Sequence, residues 1–390
     1  MERTIKPGSS IPAVYTDYFK IKTQSIFESK RLPRVIQRYG GKGRFFNDYE
    51  VFIRKLAEQQ RANNPTNINV FVDCFGGGGT MSIFALLMID TYTFRPLFDS
   101  VIYNDFDIGI YSVFKVVSKK DTCEELVDRL LKTEYSKEAW VEAHECMARV
   151  NQAETVKRVL ETDPGNRSIE DVNEYMKLMK LMDGDEYTDR ATIDARQNSL
   201  LNDLFSYRNQ LSDVDLAYYY YIESFFSFNS AGNSFRDYLN GFSCRIDYEH
   251  LFHKEAVALL EMPEILKGLI VQNKSYDELI TELLKYQNAN YTFFLDPPYL
   301  PEERTESATE VYTKELSTED HRSLMSILSS LRYWILCGYD QNEGGNSVYG
   351  QLMRVSNPEV ERISLGVKYR TSSSKGLRRD DPEEIIWVRK

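Results

Sequence analysis

The sequence predicts an α/β fold in which a parallel sheet is wound with helices and interrupted by a helical insertion. Short apolar runs of this kind are typical of parallel strands that are buried on both faces. A long stretch between the second and third runs instead has helical periodicity and many charges. The apolar runs span residues 68–75, 100–104, 291–295, 333–337 and 384–388.

The first two runs are joined by a glycine turn and a helix. Residues 76–79 are four successive glycines, and residues 80–90 (TMSIFALLMID) have helical length and are almost wholly apolar. The second segment therefore predicts a buried helix. The order strand, glycine turn, helix, strand is the opening of a doubly wound α/β fold.

Residues 121–200 predict an inserted group of amphipathic helices. They are rich in Glu, Leu, Lys and Met, and the pattern is broken at residues 163–165 and 183–184. Residues 121–190 carry 18 acidic against 10 basic side chains, which predicts a solvated acidic face. Residues 217–228 (AYYYYIESFFSF) are dense in aromatic side chains, and Tyr218 to Tyr221 among them favour helix packing over base stacking.

Composition excludes several classes of protein. With 390 residues, 42% of them hydrophobic, the chain is long enough for two domains or one large domain with an insertion, and it is not disordered. No run of about 18 apolar residues occurs, so neither a membrane span nor a membrane partner is expected. The N-terminus lacks the apolar stretch of a signal peptide. Five scattered cysteines fit neither a disulfide framework nor a CxxC metal site, which favours a cytoplasmic location.

The net charge of −11 argues against a protein that coats nucleic acid over its whole surface. Any DNA-facing surface must therefore be built locally. The four histidines lack the HExxH or Cys/His spacing of a zinc site, so no metal is expected.

The glycine turn carries the first sign of function. Glycines let the backbone approach a ligand closely, because no Cβ intervenes. Asp73 precedes them, which suits a cationic ligand better than a pyrophosphate, and Asp105 follows the second strand, where a carboxylate can accept both hydroxyls of a ribose. The pair indicates a nucleoside cofactor and favours S-adenosyl-L-methionine over NAD; a purely structural turn is the alternative.

The tetrapeptide Asp296-Pro297-Pro298-Tyr299 follows the third apolar run directly. Two prolines fix φ and remove two backbone donors, which leaves a stiff loop that presents acceptors. The Asp296 carboxylate and the Pro297 carbonyl can both accept hydrogen bonds from one exocyclic amine. Tyr299 offers a flat face on which a flipped base can stack.

With these motifs the chain resembles the DNA N6-adenine methyltransferases, in the group ordered glycine loop, target-recognition region, DPPY. Residues 38–42 (RYGGK) resemble that family's N-terminal cofactor motif, residues 220–236 its "FNG…R" stretch, and residues 369–375 its "SISSNG" loop. Ser275 stands where the family often has an Asp that contacts the cofactor adenine. The resemblance touches most of residues 35–118 and 217–390, whereas residues 121–210 match no family motif.

The resemblance implies a Rossmann-like S-adenosylmethionine-dependent methyltransferase domain with a mostly helical inserted target-recognition domain. Residues 1–118 and 265–390 would form the catalytic domain, and residues 119–264 would form the helical insertion with the target-recognition region. The implied catalytic residues are Asp296, Pro297, Pro298 and Tyr299. The implied cofactor-binding residues are Tyr39, Gly41, Lys42, Asp73, Phe75, Gly77, Gly79, Asp105, Ser275 and Asp296, and the implied DNA contacts are Asn229, Arg236 and Lys375.

The function that this reasoning favours is site-specific methylation of adenine N6 in double-stranded DNA, by a bacterial or phage enzyme. An RNA adenine or protein amide methyltransferase, and a catalytically silent DNA-binding relative, are the alternatives. The sequence leaves open whether a cognate restriction endonuclease exists and whether the protein is a monomer or a dimer.

Overall fold

The computed structural model describes residues 35–36, 46–164, 167, 169–182, 189–227, 235, 248–298, 316–340, 350–351, 360–366 and 383–389. The strands in these ranges are β1 Ile68–Asp73, β2 Ser100–Asn104, β3 Leu269–Gln272, β4 Ala289–Leu295, β5 Trp334–Asp340, β6 Glu361–Gly366 and β7 Glu383–Arg389. Helices α1 Phe46–Asn63, α2 Thr80–Leu87, α3 Ile108–Val117, α11 Tyr276–Leu283 and α12 Thr318–Ser330 accompany the strands.

The remaining helices form one continuous part of the chain, residues 120–265, which we term the helical region. Its members are α4 Lys120–Leu131, α5 Lys137–Glu161, α6 Ile169–Lys180, α7 Arg190–Gln210, α8 Asp213–Phe226, α9 Tyr248–Ala258 and α10 Met262–Ile265, with a 3-10 turn at Leu259–Glu261. None of the helices within the described ranges is long and apolar enough to cross a membrane.

The described strands form a single sheet in the order β3-β2-β1-β4-β5-β7-β6. The pairs β3–β2, β2–β1, β1–β4 and β4–β5 are parallel, and β7 runs antiparallel to both β5 and β6. The chain leaves β1 for β2 on one side and later returns to place β4 on the other side. The order of the strands therefore reverses at β1, and open α/β sheets bind ligands at such a point.

Both faces of the sheet are covered, which explains the near-continuous apolar runs. Phe71 and Phe294 belong to a buried cluster that includes residues of α1 and α2. Val72 and Phe293 belong to a second buried cluster, which includes residues of α11 and α12. Neighbouring residues of one strand thus enter different cores, as the alternation of side chains in a strand requires.

The helical region shares a core with the sheet domain. One buried cluster contains Tyr103 of β2 and residues of α3 together with residues of α4, α5, α8 and α9. Further along α5, the helices α5, α6 and α7 form a small cluster of their own, made by Ala153, Val156, Leu178, Met179 and Leu204. The helical region therefore packs on the sheet domain through one part of α5 and on a three-helix cluster through the next part.

The predicted fold class is confirmed, since a mixed α/β chain with a Rossmann-like sheet and a helical region is observed. The five predicted strands are found within a few residues of their expected bounds, and the buried helix predicted for 80–90 spans Thr80–Leu87. The break predicted at 163–165 follows the end of α5 at Glu161. Strands β3 and β6 were not predicted. Tyr220 and Tyr221 are buried in α8, which confirms that they pack rather than stack on a base.

Candidate functional site

Three carboxylates lie at the same edge of the sheet. Asp73 ends β1, Asp105 follows β2, and Asp296 follows β4, and these are three adjacent parallel strands. Asp73 is in register with Tyr103 on β2 and with Phe294 on β4. The carboxyl ends of the strands therefore bring Asp296 to Asp73 and Asp105, although it follows them by 223 and 191 residues in the sequence.

The glycine turn is tied to the end of β2 by backbone and side-chain hydrogen bonds. Gly76 N donates to Asn104 O at 2.7 Å, and Gly77 N donates to Asp105 Oδ2 at 2.7 Å. The Tyr103 hydroxyl donates to Gly77 O at 2.8 Å. The turn and the acid after β2 thus form one rigid unit.

Two glycines of this turn have left-handed backbone conformations. Gly77 has φ of 49° and Gly79 has φ of 69°. A Cβ on Gly79 would lie 2.2 Å from the ring of Phe114, whereas a Cβ on Gly77 would meet nothing closer than 3.9 Å. Gly79 is therefore required by packing as well as by conformation, and helix α2 begins directly after it.

Asp73 is a buried acid that accepts a hydrogen bond from a neighbouring hydroxyl group. It is 2% exposed, and the Ser82 hydroxyl donates to its Oδ2 at 2.7 Å. The pKa of Asp73 is raised from 3.8 to about 7, chiefly because burial disfavours the charged form; the Ser82 hydrogen bond lowers the pKa, and the nearby charges of Asp296 and Asp105 raise it. Near neutral pH this carboxyl group is therefore poised between its neutral and ionised forms.

Asp105 is held by the backbone on both of its carboxylate oxygens. Oδ2 accepts from Gly77 N at 2.7 Å and Oδ1 accepts from Asp107 N at 2.9 Å. Asp107 in turn caps α3, because its Oδ1 accepts from Gly109 N at 2.9 Å. The orientation of Asp105 is thus fixed before any ligand arrives.

The turn after β3 lies beside the end of β2, at the same edge of the sheet. Asn104, which is 1% exposed, donates from Nδ2 to Cys74 O and Lys274 O and accepts from Lys274 N, at 2.9, 3.0 and 3.0 Å. Ser275 follows directly and caps α11 without a side-chain hydrogen bond to the helix. Phe75 packs against Tyr276 with ring centroids 5.6 Å apart. Asn104 therefore fixes Ser275 and Phe75 relative to the glycine turn.

The loop after β4 begins with Asp296, Pro297 and Pro298, of which Pro297 is buried and the other two are half-buried. Cys74 N donates to Phe294 O at 3.0 Å, which joins the ends of β1 and β4 just before the loop. The predicted site residues Tyr39, Gly41, Lys42, Asn229, Arg236, Tyr299 and Lys375 lie outside the described residues.

The structure brings together every described residue that the sequence predicts for the site, namely Asp73, Phe75, Gly77, Gly79, Asp105, Ser275, Asp296, Pro297 and Pro298. Sequence reasoning missed Ser82 and Asn104, which hold that site together. A serine two residues into α2 and an asparagine before an acid carried no distinct signal. Among the described residues, no group of three or more His, Cys, Asp or Glu side chains could hold a metal ion.

Comparison with known proteins gives one family. The model of the D12 class N6 adenine-specific DNA methyltransferases matches residues 53–361, which include every strand from β1 to β5 and end at the first residue of β6. The search of curated proteins found no match.

Proposed function

The chain belongs to the D12 class of N6 adenine-specific DNA methyltransferases, and on that premise we propose that it moves a methyl group from S-adenosylmethionine to a flipped adenine in duplex DNA. The observation that carries the proposal is the convergence of Asp73, Asp105 and Asp296 beside the glycine turn. Three acids at one edge favour a cationic ligand and disfavour a pyrophosphate.

The residues at the ends of β1 and β2 fit this cofactor. Two backbone N–H groups fix the carboxylate of Asp105 at the end of β2, where open α/β sheets bind the ribose of a nucleoside cofactor. The left-handed Gly77 leaves open space where another residue would place a Cβ. We therefore assign the ribose to Asp105 and the charged methionine part to Asp73 and the glycine turn, with Phe75 and Ser275 beside them.

The sequence motif alone leads us to add Tyr39, Gly41 and Lys42 to the proposed cofactor site. In the same way we assign DNA contacts to Asn229, Arg236 and Lys375. We also propose that residues 119–264 form the insertion that recognises the target, with residues 1–118 and 265–390 forming the catalytic part. The strands of the described sheet all lie outside 119–264, which supports this division.

The target base is assigned to the loop after β4. The stiff Asp296-Pro297-Pro298 segment presents a carboxylate and a carbonyl, which together accept both N–H groups of the adenine amine. Tyr299 is assigned to stack on the base. Extruding the base from the duplex costs a few kcal/mol, and these contacts offset that cost.

The bound cofactor supplies a methyl group on a sulfonium that is already activated for displacement. A bond forms between adenine N6 and the methyl carbon, the carbon–sulfur bond breaks with its electron pair remaining on sulfur, and one N6 proton is released to water. Asp296 and Pro297 orient the N6 lone pair along the line of this displacement. The contribution of the chain is therefore positioning, together with fixed dipoles aimed at the amine.

The proposal is tested with labelled S-adenosylmethionine, unmethylated duplex DNA and nucleoside analysis. We expect N6-methyladenine from the wild type and at least about 100-fold less from Asp296→Ala, because loss of one preorganised contact to the reacting group costs about that much. Asp296 is also one of the acids beside the proposed cofactor, so cofactor binding, measured by calorimetry, should weaken in the variant, but by far less than methyl transfer does.

Asp128→Ala is the matched control, since Asp128 is an exposed acid on α4 that pairs with Lys132. It should methylate DNA like the wild type. Methylation of RNA or protein but not of DNA would contradict the proposed substrate. Cofactor binding without any methyl transfer would point to a silent DNA-binding relative.

A further inference from the structure

The helical region contacts the rim of the proposed cofactor site at the turn after β2. Arg158, near the end of α5, lies with its guanidinium carbon 4.7 Å from the ring centroid of Phe106. Phe106 directly follows Asp105 in the turn after β2. This contact joins the three-helix cluster of the helical region to the loop that carries Asp105.

The guanidinium of Arg158 is held in a fixed plane. Its Nε and Nη2 donate to the two carboxylate oxygens of Asp171 on α6, at 2.9 and 3.1 Å. Nη2 also donates to Thr155 Oγ1 at 3.0 Å. Asp171 is 8% exposed and Thr155 is 1% exposed, so the acceptors of the partly exposed Arg158 side chain are themselves buried. A flat cation fixed in this way can support an aromatic ring, which a flexible ammonium group does less well.

Phe106 is held from its other end by the turn after β3. Asn273 Nδ2 donates to Asp105 O at 2.7 Å and to Phe106 O at 3.1 Å. The backbone of Phe106 is therefore anchored by the sheet domain, while its ring contacts the helical region. Because Phe106 directly follows Asp105, a ribose bound by Asp105 would bring its base close to Phe106.

We infer that Arg158 is a positioning residue, through which the helical region holds Phe106 against the nucleoside end of the cofactor. This inference rests on the proposed function. The helical region thus serves the cofactor site as well as the target, and the contact couples the three-helix cluster to cofactor affinity.

The test compares Arg158→Ala and Arg158→Lys with the wild type, using the full chain. We expect the Kd and the KM for S-adenosylmethionine to rise about 3- to 10-fold in both variants, because a partly buried cation–aromatic contact has about that effect. The kcat and the KM for DNA should stay within about twofold. Arg158→Lys keeps the charge but loses the flat two-pronged pairing with Asp171, and it serves as the second variant if Arg158→Ala does not fold.

Arg208→Ala is the matched control. Arg208 on α7 pairs with Glu154 on α5 at 2.8 Å, and the two side chains are 22% and 17% exposed, close to the 24% and 11% of Arg158 and Asp171. Arg208→Ala should lower the free energy of unfolding about as much as Arg158→Ala does, without changing the Kd for S-adenosylmethionine.

An unchanged Kd in both Arg158 variants, or an equal rise in Arg208→Ala, would overturn the inference. A fall in kcat with an unchanged KM for the cofactor would overturn it as well. A wild type that binds S-adenosylmethionine but leaves adenine unmethylated would contradict the proposed function instead, so the two failures are distinguishable.

Discussion

Ser82 donates a hydrogen bond of 2.7 Å to the carboxylate of Asp73, and both side chains are buried beneath the glycine turn. The bond stabilises the ionised form of an acid whose pKa burial has raised to about 7. Because the proposed cofactor is cationic, its binding should favour that same ionised form. Cofactor affinity should therefore rise with pH as Asp73 loses its proton.

We predict that Ser82→Ala moves this pH dependence upward. Loss of the donor raises the pKa of Asp73 beyond about 7, so a larger fraction stays protonated at neutral pH. Hydrogen bonds to charged groups are worth about 1.5–3 kcal/mol, which corresponds to a shift of at least about one pH unit. The measurement is the Kd for S-adenosylmethionine by calorimetry between about pH 5 and pH 9.

Ser112→Ala is the control for this experiment. Ser112 is fully buried in α3, and its hydroxyl donates to Ile108 O at 2.7 Å, away from Asp73. Its profile should follow the wild type. Superimposable profiles for Ser82→Ala and the wild type would show that the hydrogen bond does not tune Asp73.

We predict that Asp73→Asn stabilises the protein at alkaline pH. Between pH 3.8 and about 7 the folded state binds more protons at Asp73 than the unfolded state does, so the free energy of unfolding falls as pH rises through this window. Above about pH 7 the ionised, buried Asp73 carries the full cost, of order 4 kcal/mol at most. Asparagine has no charge to bury and escapes this cost.

Thermal unfolding at about pH 4 and about pH 8 measures the effect. The variant should melt well above the wild type at the higher pH and close to it at the lower one. Asp128→Asn, on the exposed face of α4, should show no such pH dependence. A stability difference that is the same at both pH values would contradict the assigned cause.

The strands that the sequence predicts are those buried on both faces. The two that it does not predict, β3 and β6, lie at opposite edges of the sheet. Leu269–Gln272 is short and half exposed, and Glu361–Gly366 places polar residues between apolar ones. An edge strand has solvent on one side, so its sequence lacks the continuous apolar run that marks a central strand.

The acids of the site are predictable because each follows a strand, and the carboxyl ends of parallel strands share one edge. Their supporting residues are not. Asn104 reaches Lys274 across 170 residues, and Phe106 meets Arg158 from another part of the fold. Gly79 had been assigned to close ligand approach, but its packing against Phe114 also requires a glycine there. No local pattern carries such long-range contacts.

We predict that Asn104→Asp destabilises the protein more than Asn104→Ala does. Alanine leaves Cys74 O and Lys274 O without their donor, which costs about 1–3 kcal/mol. Aspartate has the same shape but turns a buried carboxylate toward both carbonyls, which adds repulsion and the cost of burying a charge. Urea unfolding of the three proteins at neutral pH gives the order.

Asn202→Asp makes the same chemical change at an exposed position of α7 and should alter stability by less than about 0.5 kcal/mol. If Asn104→Asp proved as stable as the wild type, the hydrogen bonds of Asn104 to Cys74 O and Lys274 O would not stabilise the fold.

We predict that Gly77→Ala and Gly79→Ala separate ligand approach from packing. Both positions have positive φ, for which alanine costs about 1–2 kcal/mol. At Gly79 the new Cβ also lies 2.2 Å from the Phe114 ring, which adds about 1–3 kcal/mol of overpacking, whereas at Gly77 it meets no atom within 3.9 Å. Gly79→Ala should therefore be clearly the less stable variant in chemical denaturation.

Cofactor affinity should show the reverse order: Gly77→Ala, the more stable of the two variants, should bind the cofactor more weakly. Gly77 lies beside Asp105, so a methyl group there stands in the space assigned to the cofactor. Gly77→Ala should therefore raise the Kd for S-adenosylmethionine about tenfold, while its loss of stability stays at about 1–2 kcal/mol, the cost of the positive φ. Combining Gly79→Ala with Phe114→Leu should restore part of the lost stability by relieving the contact with the ring. If Gly77→Ala bound the cofactor as the wild type does, the open side of the glycine turn would not face the ligand, and the assignment of the turn to cofactor binding would have to be abandoned.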